Sequence, residues 1–380
     1  MIAPFAIRQP RRIRFGRGEA AAAVAEIAAI GRRLLVVHGR DPGRADWLIR
    51  ALAGEGVAVV GHSCPAEPDL PMLEAALAAA RAAGVEGVVS LGGGAAIDLG
   101  KAVAALTPAP GDPLDHLEVV GRGRPLAADP LPFVAIPTTA GTGAEVTANA
   151  VIGVPEHRRK VSLRDDRMIA ALAVVDPALT DRCPPAVTLA AGLDAITQLI
   201  EPYLCTRANP HTDVLCRAAI PGALAALRRL MAAEDAEARD AMAWASLAGG
   251  LALANAGLGA VHGLAGVIGG MTGAAHGAIC GALLPHVLRA NRAALAADSP
   301  RRARFDEVAG WLFAAFGGPD GAAALEAWMH GAGLPRLSRL GLAPADHGAV
   351  AAAAALSSSM RANPAPLGPD ALAAILQAAG

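Results

Sequence analysis

Residues 259–286 read GAVHGLAGVIGGMTGAAHGAICGALLPH, three histidines in a run without a charge. The run belongs to a longer segment, Ala241 to Leu288, that contains no Asp, Glu, Lys or Arg. Three readings compete for it: a membrane span, core helices with ordinary hydrogen-bonded histidines, or a metal site. A spanning helix needs about 20 predominantly apolar residues, and the segment is long enough. It is, however, crowded with glycine and carries Asn255, His262, Thr272, His276 and His286. Arg239 and Arg289 stand alone at its ends, with no one-sided basic cluster. The expectation is a buried helical hairpin of a soluble protein, with no membrane partner.

His262 and His276 are 14 residues apart. On one straight helix they would stand about 21 Å apart and could not share an ion. Gly269, Gly270 and Gly273 lie between them, and a turn there would bring both imidazoles to one place. An earlier segment, GLDAITQLIEPY (192–203), puts Asp194 and Gln198 at i and i+4, on one face of a helix. Both present an oxygen to the same side. An N-terminal carboxylate beside a solvated glutamine is the plainer reading of that pair.

The totals bound the rest. A chain of 380 residues, 54% hydrophobic, exceeds one ordinary core, so two domains are expected. A net charge of −1 offers no field for nucleic acid. Five dispersed cysteines without a CxxC pair read as reduced thiols in a cytoplasmic protein. The N-terminal MIAPFAIRQPRRIRF has no apolar core of signal-peptide length.

Up to about residue 180 short apolar runs alternate with helical patterns. RLLVVH (33–38), VAVVGH (57–62), VEGVVSLGGG (85–94), LPFVAIPTTA (131–140) and MIAALAVVDP (168–177) read as strands, with helices over 46–53 and 69–83. That rhythm indicates a parallel α/β sheet. Beyond Pro184 and Pro185 only Ala/Leu-rich helical stretches follow, so the expected division is an α/β domain over 1–180 and an all-helical domain over 181–380.

SLGGGAAIDLGKAVA (90–104) joins a strand to a helix. Three glycines admit close backbone approach, and the helix N-terminus favours an anion such as a pyrophosphate. A tight turn without ligand explains GGG equally well, and the GxGxxG fingerprint is absent. IPTTAGTGAEVT (136–147) follows another strand with four hydroxyls, at Thr138, Thr139, Thr142 and Thr147. They suit a sugar, phosphate or carboxamide, or else a hydroxyl-rich turn.

In order and spacing, FGRG (15–18), LGGGAAIDLGKA (91–102), IPTTAGTGAEVT, VVDPALT (174–180), GLDA (192–195), ANPHTD (208–213), GAVHG…AAHGAICGALLPHV and RANP (361–364) resemble the iron-containing alcohol dehydrogenases, whose fold is related to dehydroquinate synthase. The resemblance runs nearly end to end. It implies an N-terminal dinucleotide-binding domain, a helical metal and substrate domain, a cleft between them, a small alcohol or carbonyl substrate, and a homodimer as in many relatives. It implies metal ligation by Asp194, His262 and His276, with Gln198 where the family has a fourth histidine. Gly266 stands where many members have a histidine near the substrate, so no catalytic acid is identified. Gly92, Gly93, Gly94, Ala95 and Asp98 would hold the pyrophosphate, and Thr138, Thr139, Thr142, Thr147 and Lys160 the nicotinamide half.

Two departures bear on chemistry. An amide oxygen in place of an imidazole is a harder donor, which weakens Fe²⁺ or Zn²⁺ and tolerates Mn²⁺ or Mg²⁺. Gly39 occupies the place of an aspartate common in NAD-preferring members, and Arg40 and Arg44 lie close by, an arrangement that leans to NADP over NAD. Maleylacetate reductases, relatives that work with an altered or absent metal site, supply the alternative reading.

Overall fold

The computed structural model describes residues 2, 4–109 and 111–380. They form two compact units: Arg8–Thr139 with Gly143–Asp181, and Arg182–Gly380 with Ala140–Thr142 and the described residues before Arg8.

The first unit contains eight strands: β1 (Arg12–Phe15), β2 (Arg33–His38), β3 (Ala58–Ser63), β4 (Gly87–Gly92), β5 (Phe133–Pro137), β6 (Asn149–Val154), β7 (Arg159–Arg164) and β8 (Leu172–Val175). Its helices are α1 (Glu19–Ala22), α2 (Val24–Ala28), α3 (Asp46–Gly54), α4 (Leu70–Ala83) and α5 (Gly94–Leu106). Six strands make one parallel sheet in the order β1-β8-β5-β4-β2-β3. The apolar runs are continuous because both faces are covered. On β2, Leu35 and Val37 join the core shared with Leu73, Leu77 and Val103. Leu34 and Val36 join the opposite core with Ile27, Leu48 and Leu52.

β2 lies between β3 and β4, so the chain reverses its direction of travel across the sheet at the β2/β4 boundary. Open α/β sheets bind ligands outside the carboxyl ends of strands at such a switch point. Here those ends are His38–Gly39 and Gly92–Gly94.

Two features escape the pattern of apolar runs. β1, RIRF, is a short sheet-edge strand with alternating arginines. β6 and β7 pair as a separate antiparallel hairpin, half-buried and interrupted by charges.

The second unit is helical: α6 (Pro185–Leu204), α7 (Pro210–Ala232), α8 (Ala236–Asn255), α9 (Ala260–Thr272), α10 (His276–Ala294), α11 (Arg302–Phe316), α12 (Gly321–Gly331), α13 (His347–Ala355) and α14 (Pro369–Ala379). Their apolar faces meet in one core around Leu193, Leu199, Leu264, Ile279 and Leu283. The uncharged segment supplies most of α8, all of α9 and the greater part of α10, and α9 and α10 do form a hairpin. Gly273 ends α9 in the left-handed conformation at φ 69°, which glycine adopts without strain. Gly269 and Gly270 stay helical. Among the described residues no single helix is long and apolar enough to cross a membrane; α8 and α9 together reach that length only across a 101° bend.

Candidate metal centre and nucleotide loops

α6 carries three polar side chains on one stripe at i, i+4 and i+7: Asp194, Gln198 and Glu201. All three are buried. Asp194 Oδ1 lies 3.7 Å from His262 Nε2 and 3.8 Å from His276 Nε2. The two imidazole rings are tilted at 54° with centroids 5.4 Å apart. The hairpin turn at Gly273 therefore does what a straight helix could not.

Two glycines set how closely α10 approaches α6. A Cβ on Gly277 would overlap the Ala190 carbonyl oxygen and lie 2.7 Å from its carbon. A Cβ on Gly281 would lie 2.6 Å from Leu193 Cδ1. Only glycine lets the first turn of α10 rest on the Asp194 face.

Glu201 was not singled out in the sequence, and it organises the centre. Its Oε2 is 2.6 Å from His262 Nδ1, and its Oε1 accepts from Val261 N–H at 2.7 Å. Asn363 Oδ1 accepts from Ala260 N–H at 3.0 Å. The first turn of α9 is thus capped by side chains distant in sequence, and the RANP stretch has its role there. With Nδ1 held on a carboxylate, the Nε2 of His262 is turned towards Asp194, the tautomer being assigned from this geometry. A spacing of i+7 from Asp194, on an apolar helix, is the signal that marks Glu201.

Burial opposes charge on both Asp194 and His262, but their partners outweigh it. His276, His262 and Gln198 hold Asp194 below the usual carboxylate range. Asp194 and Glu201 push His262 up to about 9. Among the described residues, three buried polar atoms of these side chains nonetheless have no hydrogen-bond partner: Asp194 Oδ1, Gln198 Oε1 and His262 Nε2. Such orphans are rare in folded proteins and call for a reason. Separations of 3.7–3.8 Å are too long for hydrogen bonds and close to those between two ligands of one ion. The donor set fits a divalent cation. Cys280 also reaches the cluster: one ligand atom each from Asp194, His262, His276 and Cys280 lie within 4.8 Å of one another. Burial raises the Cys280 thiol well above its ordinary value.

Around Gly266, one turn along α9 from His262, the Cβ position has no neighbouring atom within 4 Å. Space is open at that position.

In the α/β unit, Gly92 and Gly39 come together from the two strands at the switch point. A Cβ on Gly92 would lie 3.4 Å from Gly39 N and 2.6 Å from Ala96 Cβ. Gly93 caps α5 in an extended conformation without a side-chain hydrogen bond, and Gly94 and Ala95 form its first turn, half-buried. Thr138 N–H donates to Gly92 O at 2.9 Å. Thr139 Oγ1 is 3.3 Å from the Cβ position of Gly93. These residues form one anion-sized cradle at a helix N-terminus.

The other residues expected from the sequence to hold a nucleotide are engaged in structural contacts. Asp98 Oδ2 accepts from Val151 N–H at 3.0 Å and tethers the β6–β7 hairpin; burial, eased by Lys101, raises it to about 6. Thr147 is buried, and its carbonyl and hydroxyl accept from Lys101 Nζ at 2.8 and 2.9 Å. Lys101 also donates to Ala144 O and Asn149 O, and burial lowers it to about 8. Thr142 is half-buried in the loop between. Lys160 pairs with Glu67 at 3.4 Å. Arg40 and Arg44 are exposed and donate to Pro65 O and Leu179 O. All five cysteines are free.

Residues 10–177 match the family model described as iron-containing alcohol dehydrogenase, and residues 188–380 match that of the C-terminal part of the same family. Long-chain-alcohol dehydrogenase 1 of Geobacillus thermodenitrificans is 39% identical over 272 residues, 70% of this chain and 68% of that protein. 4-Hydroxybutyrate dehydrogenase of Cupriavidus necator is 35% identical over 302 residues, 77% of this chain and 76% of that one. The solved alcohol dehydrogenase from Oenococcus oeni superposes with a TM-score of 0.88 at 26% identity, covering 99% of this chain and 100% of its own. The chain belongs to the iron-containing alcohol dehydrogenase family of oxidoreductases.

Proposed function

We propose that the chain transfers a hydride between a nicotinamide dinucleotide and a small alcohol, or the corresponding aldehyde or ketone, with a divalent cation held by Asp194, Gln198, His262 and His276. The observation that carries this reading is the convergence of two orphaned buried atoms, Asp194 Oδ1 and His262 Nε2, beside the His276 imidazole, with a third orphan, Gln198 Oε1, on the residue one helical turn along α6 from Asp194.

A cation bound there supplies Lewis acidity towards a substrate oxygen, and the nicotinamide supplies the two-electron chemistry. The protein's own part is positional. Glu201 holds His262 through Nδ1, so its Nε2 faces the centre, where a bound cation would take the place of a proton. The Gly92–Gly94 cradle offers the unpaired N–H groups of α5 to a pyrophosphate. Gly39 leaves the end of β2 open, and the exposed guanidinium of Arg40 next to it supports NADP over NAD. The open space at Gly266 supports a substrate bulkier than a short primary alcohol. Relatives named for long-chain alcohols, 4-hydroxybutyrate and choline fit that breadth. Five free thiols support a reducing, cytoplasmic setting. The division near residue 180 would then separate a nucleotide-binding domain from a metal and substrate domain.

The test is nicotinamide absorbance with a panel of alcohols, aldehydes and ketones, using chelated protein before and after adding Fe²⁺, Zn²⁺ or Mn²⁺. Turnover restored by metal is expected. Full turnover after exhaustive chelation would transfer the chain to the metal-free, maleylacetate-reductase-like reading. Silence with every cofactor, metal and substrate refutes hydride transfer altogether.

A further inference from the structure

We propose that Cys280 is a thiolate ligand of the metal centre, replacing by a neighbouring helix the donor that the chain lacks where Gln198 stands. The inference rests on the metal reading above and revises its donor set to Asp194, His262, His276 and Cys280, with Gln198 left outside it.

Three observations carry it. The first is position: Cys280 follows His276 by one turn on α10, so both side chains leave the same face. Gly277 and Gly281 press that face onto α6, as described above. The second is distance. Cys280 Sγ is 3.5 Å from His276 Nε2. Two ligands of a tetrahedral zinc ion, with Zn–S near 2.3 Å and Zn–N near 2.0–2.1 Å, stand roughly 3.5 Å apart. The Asp194 to histidine separations exceed the corresponding tetrahedral edge by only a few tenths of an ångström, a distance side chains close on binding. The third is the company Cys280 keeps: unpartnered atoms of Asp194 and His262, both more than nine-tenths buried.

Charge selects the thiol over the amide as the fourth donor. A dication in a buried site needs compensation, because isolated charge is costly away from water. Asp194 neutralises one unit. The charge of Glu201 is spent on His262 Nδ1 and the helix amides. A thiolate neutralises the second unit; the amide of Gln198 cannot. On binding, the S–H proton leaves to solvent and the sulfur electron pair goes to the metal. Such a set reverses the metal preference expected from Gln198 alone. A soft sulfur donor selects Zn²⁺ or Fe²⁺ against Mn²⁺ and Mg²⁺. Thiolate-bound zinc serves alcohol dehydrogenation in another donor set, Cys₂His.

The experiment uses the full chain loaded with Zn²⁺ for X-ray absorption and with Co²⁺ for optical spectroscopy, comparing the parent, Cys280→Ala and Gln198→Ala. The proposal expects a sulfur scatterer at about 2.3 Å in the parent and in Gln198→Ala, absent in Cys280→Ala. It expects a sulfur-to-cobalt charge-transfer band in the parent and a fall in zinc affinity of at least about 10-fold in Cys280→Ala, the loss typical of lesser, outer-shell partners. A nitrogen and oxygen shell alone in the parent, or parental affinity in a folded Cys280→Ala, overturns it and makes Cys280 a packing residue. Those results with metal-restored turnover leave the proposed function standing. A parent that binds no metal overturns both. Should Cys280→Ala fail to fold, the parent's two spectra decide.

Discussion

Substituting Gly277 by alanine should separate two effects of one methyl group. In an exposed helix the change is favourable by about 0.5–1 kcal/mol, because glycine loses more backbone freedom on folding. At Gly277 the methyl carbon would lie 2.7 Å from the Ala190 carbonyl carbon and 3.0 Å from Asp194 Cβ. Carbon atoms pack at about 3.5–4.0 Å, so α10 must retreat from α6 by about 1 Å. The obstacle is helix backbone, not a side chain that can turn aside. Overpacking of this kind costs about 1–3 kcal/mol, which exceeds the helical gain. At about 2–4 °C per kcal/mol, the expected fall in Tm is several degrees. Displacement of the adjacent His276 should also weaken metal binding. Gly266→Ala is the control, since its Cβ position has no neighbour within 4 Å and the helix type is the same. Its Tm should stay level or rise. Denaturation scans and zinc titrations of the two variants check the argument. A Gly277→Ala protein as stable and as tight for zinc as the parent would refute the claim that a glycine-limited helix approach assembles the centre.

Glu201→Gln keeps an acceptor near His262 Nδ1 but removes the charge; metal affinity should fall about 10–100-fold by titration, and an unchanged affinity would deny Glu201 its orienting role. Glu145 is buried, one of its oxygens has no partner, and burial raises it to about 7. Its folded value lies above its unfolded one, so the folded chain holds the proton more tightly. The stabilisation is complete below about pH 4.5 and is lost as pH rises through about 7. Glu145→Gln should flatten that decline in Tm across pH 4.5–7, and an unaltered slope would count against it. Gly39→Asp has room for its side chain and would place a carboxylate at the end of β2. It should raise KM for NADPH at least about 10-fold, one bidentate-scale interaction, and leave KM for NADH near its parental value; parallel changes would remove the basis of the NADP preference.

The β2, β4, β5 and β8 runs are legible in the chain because strands covered on both faces must be apolar throughout. The helices after Pro185 are legible because alanine and leucine at helical spacing admit little else. Asp194 and Gln198 on one face, and the need for a turn between His262 and His276, follow from the 3.6-residue repeat alone. β1 and the β6–β7 hairpin were not legible: one buried face and a few charged positions leave a short strand indistinguishable from a loop. Glu201, Asn363 and Cys280 escaped for another reason. Glu201 and Asn363 act on groups 61 and 103 positions away, and Cys280 joins a cluster drawn from three helices; residue identity carries no record of such distances. Local composition determines which segments become helix or strand, because those choices are made within a few residues. Which buried oxygen, nitrogen and sulfur atoms meet is decided by how closely α10 can lie on α6, a packing distance that exists only once the helices are assembled.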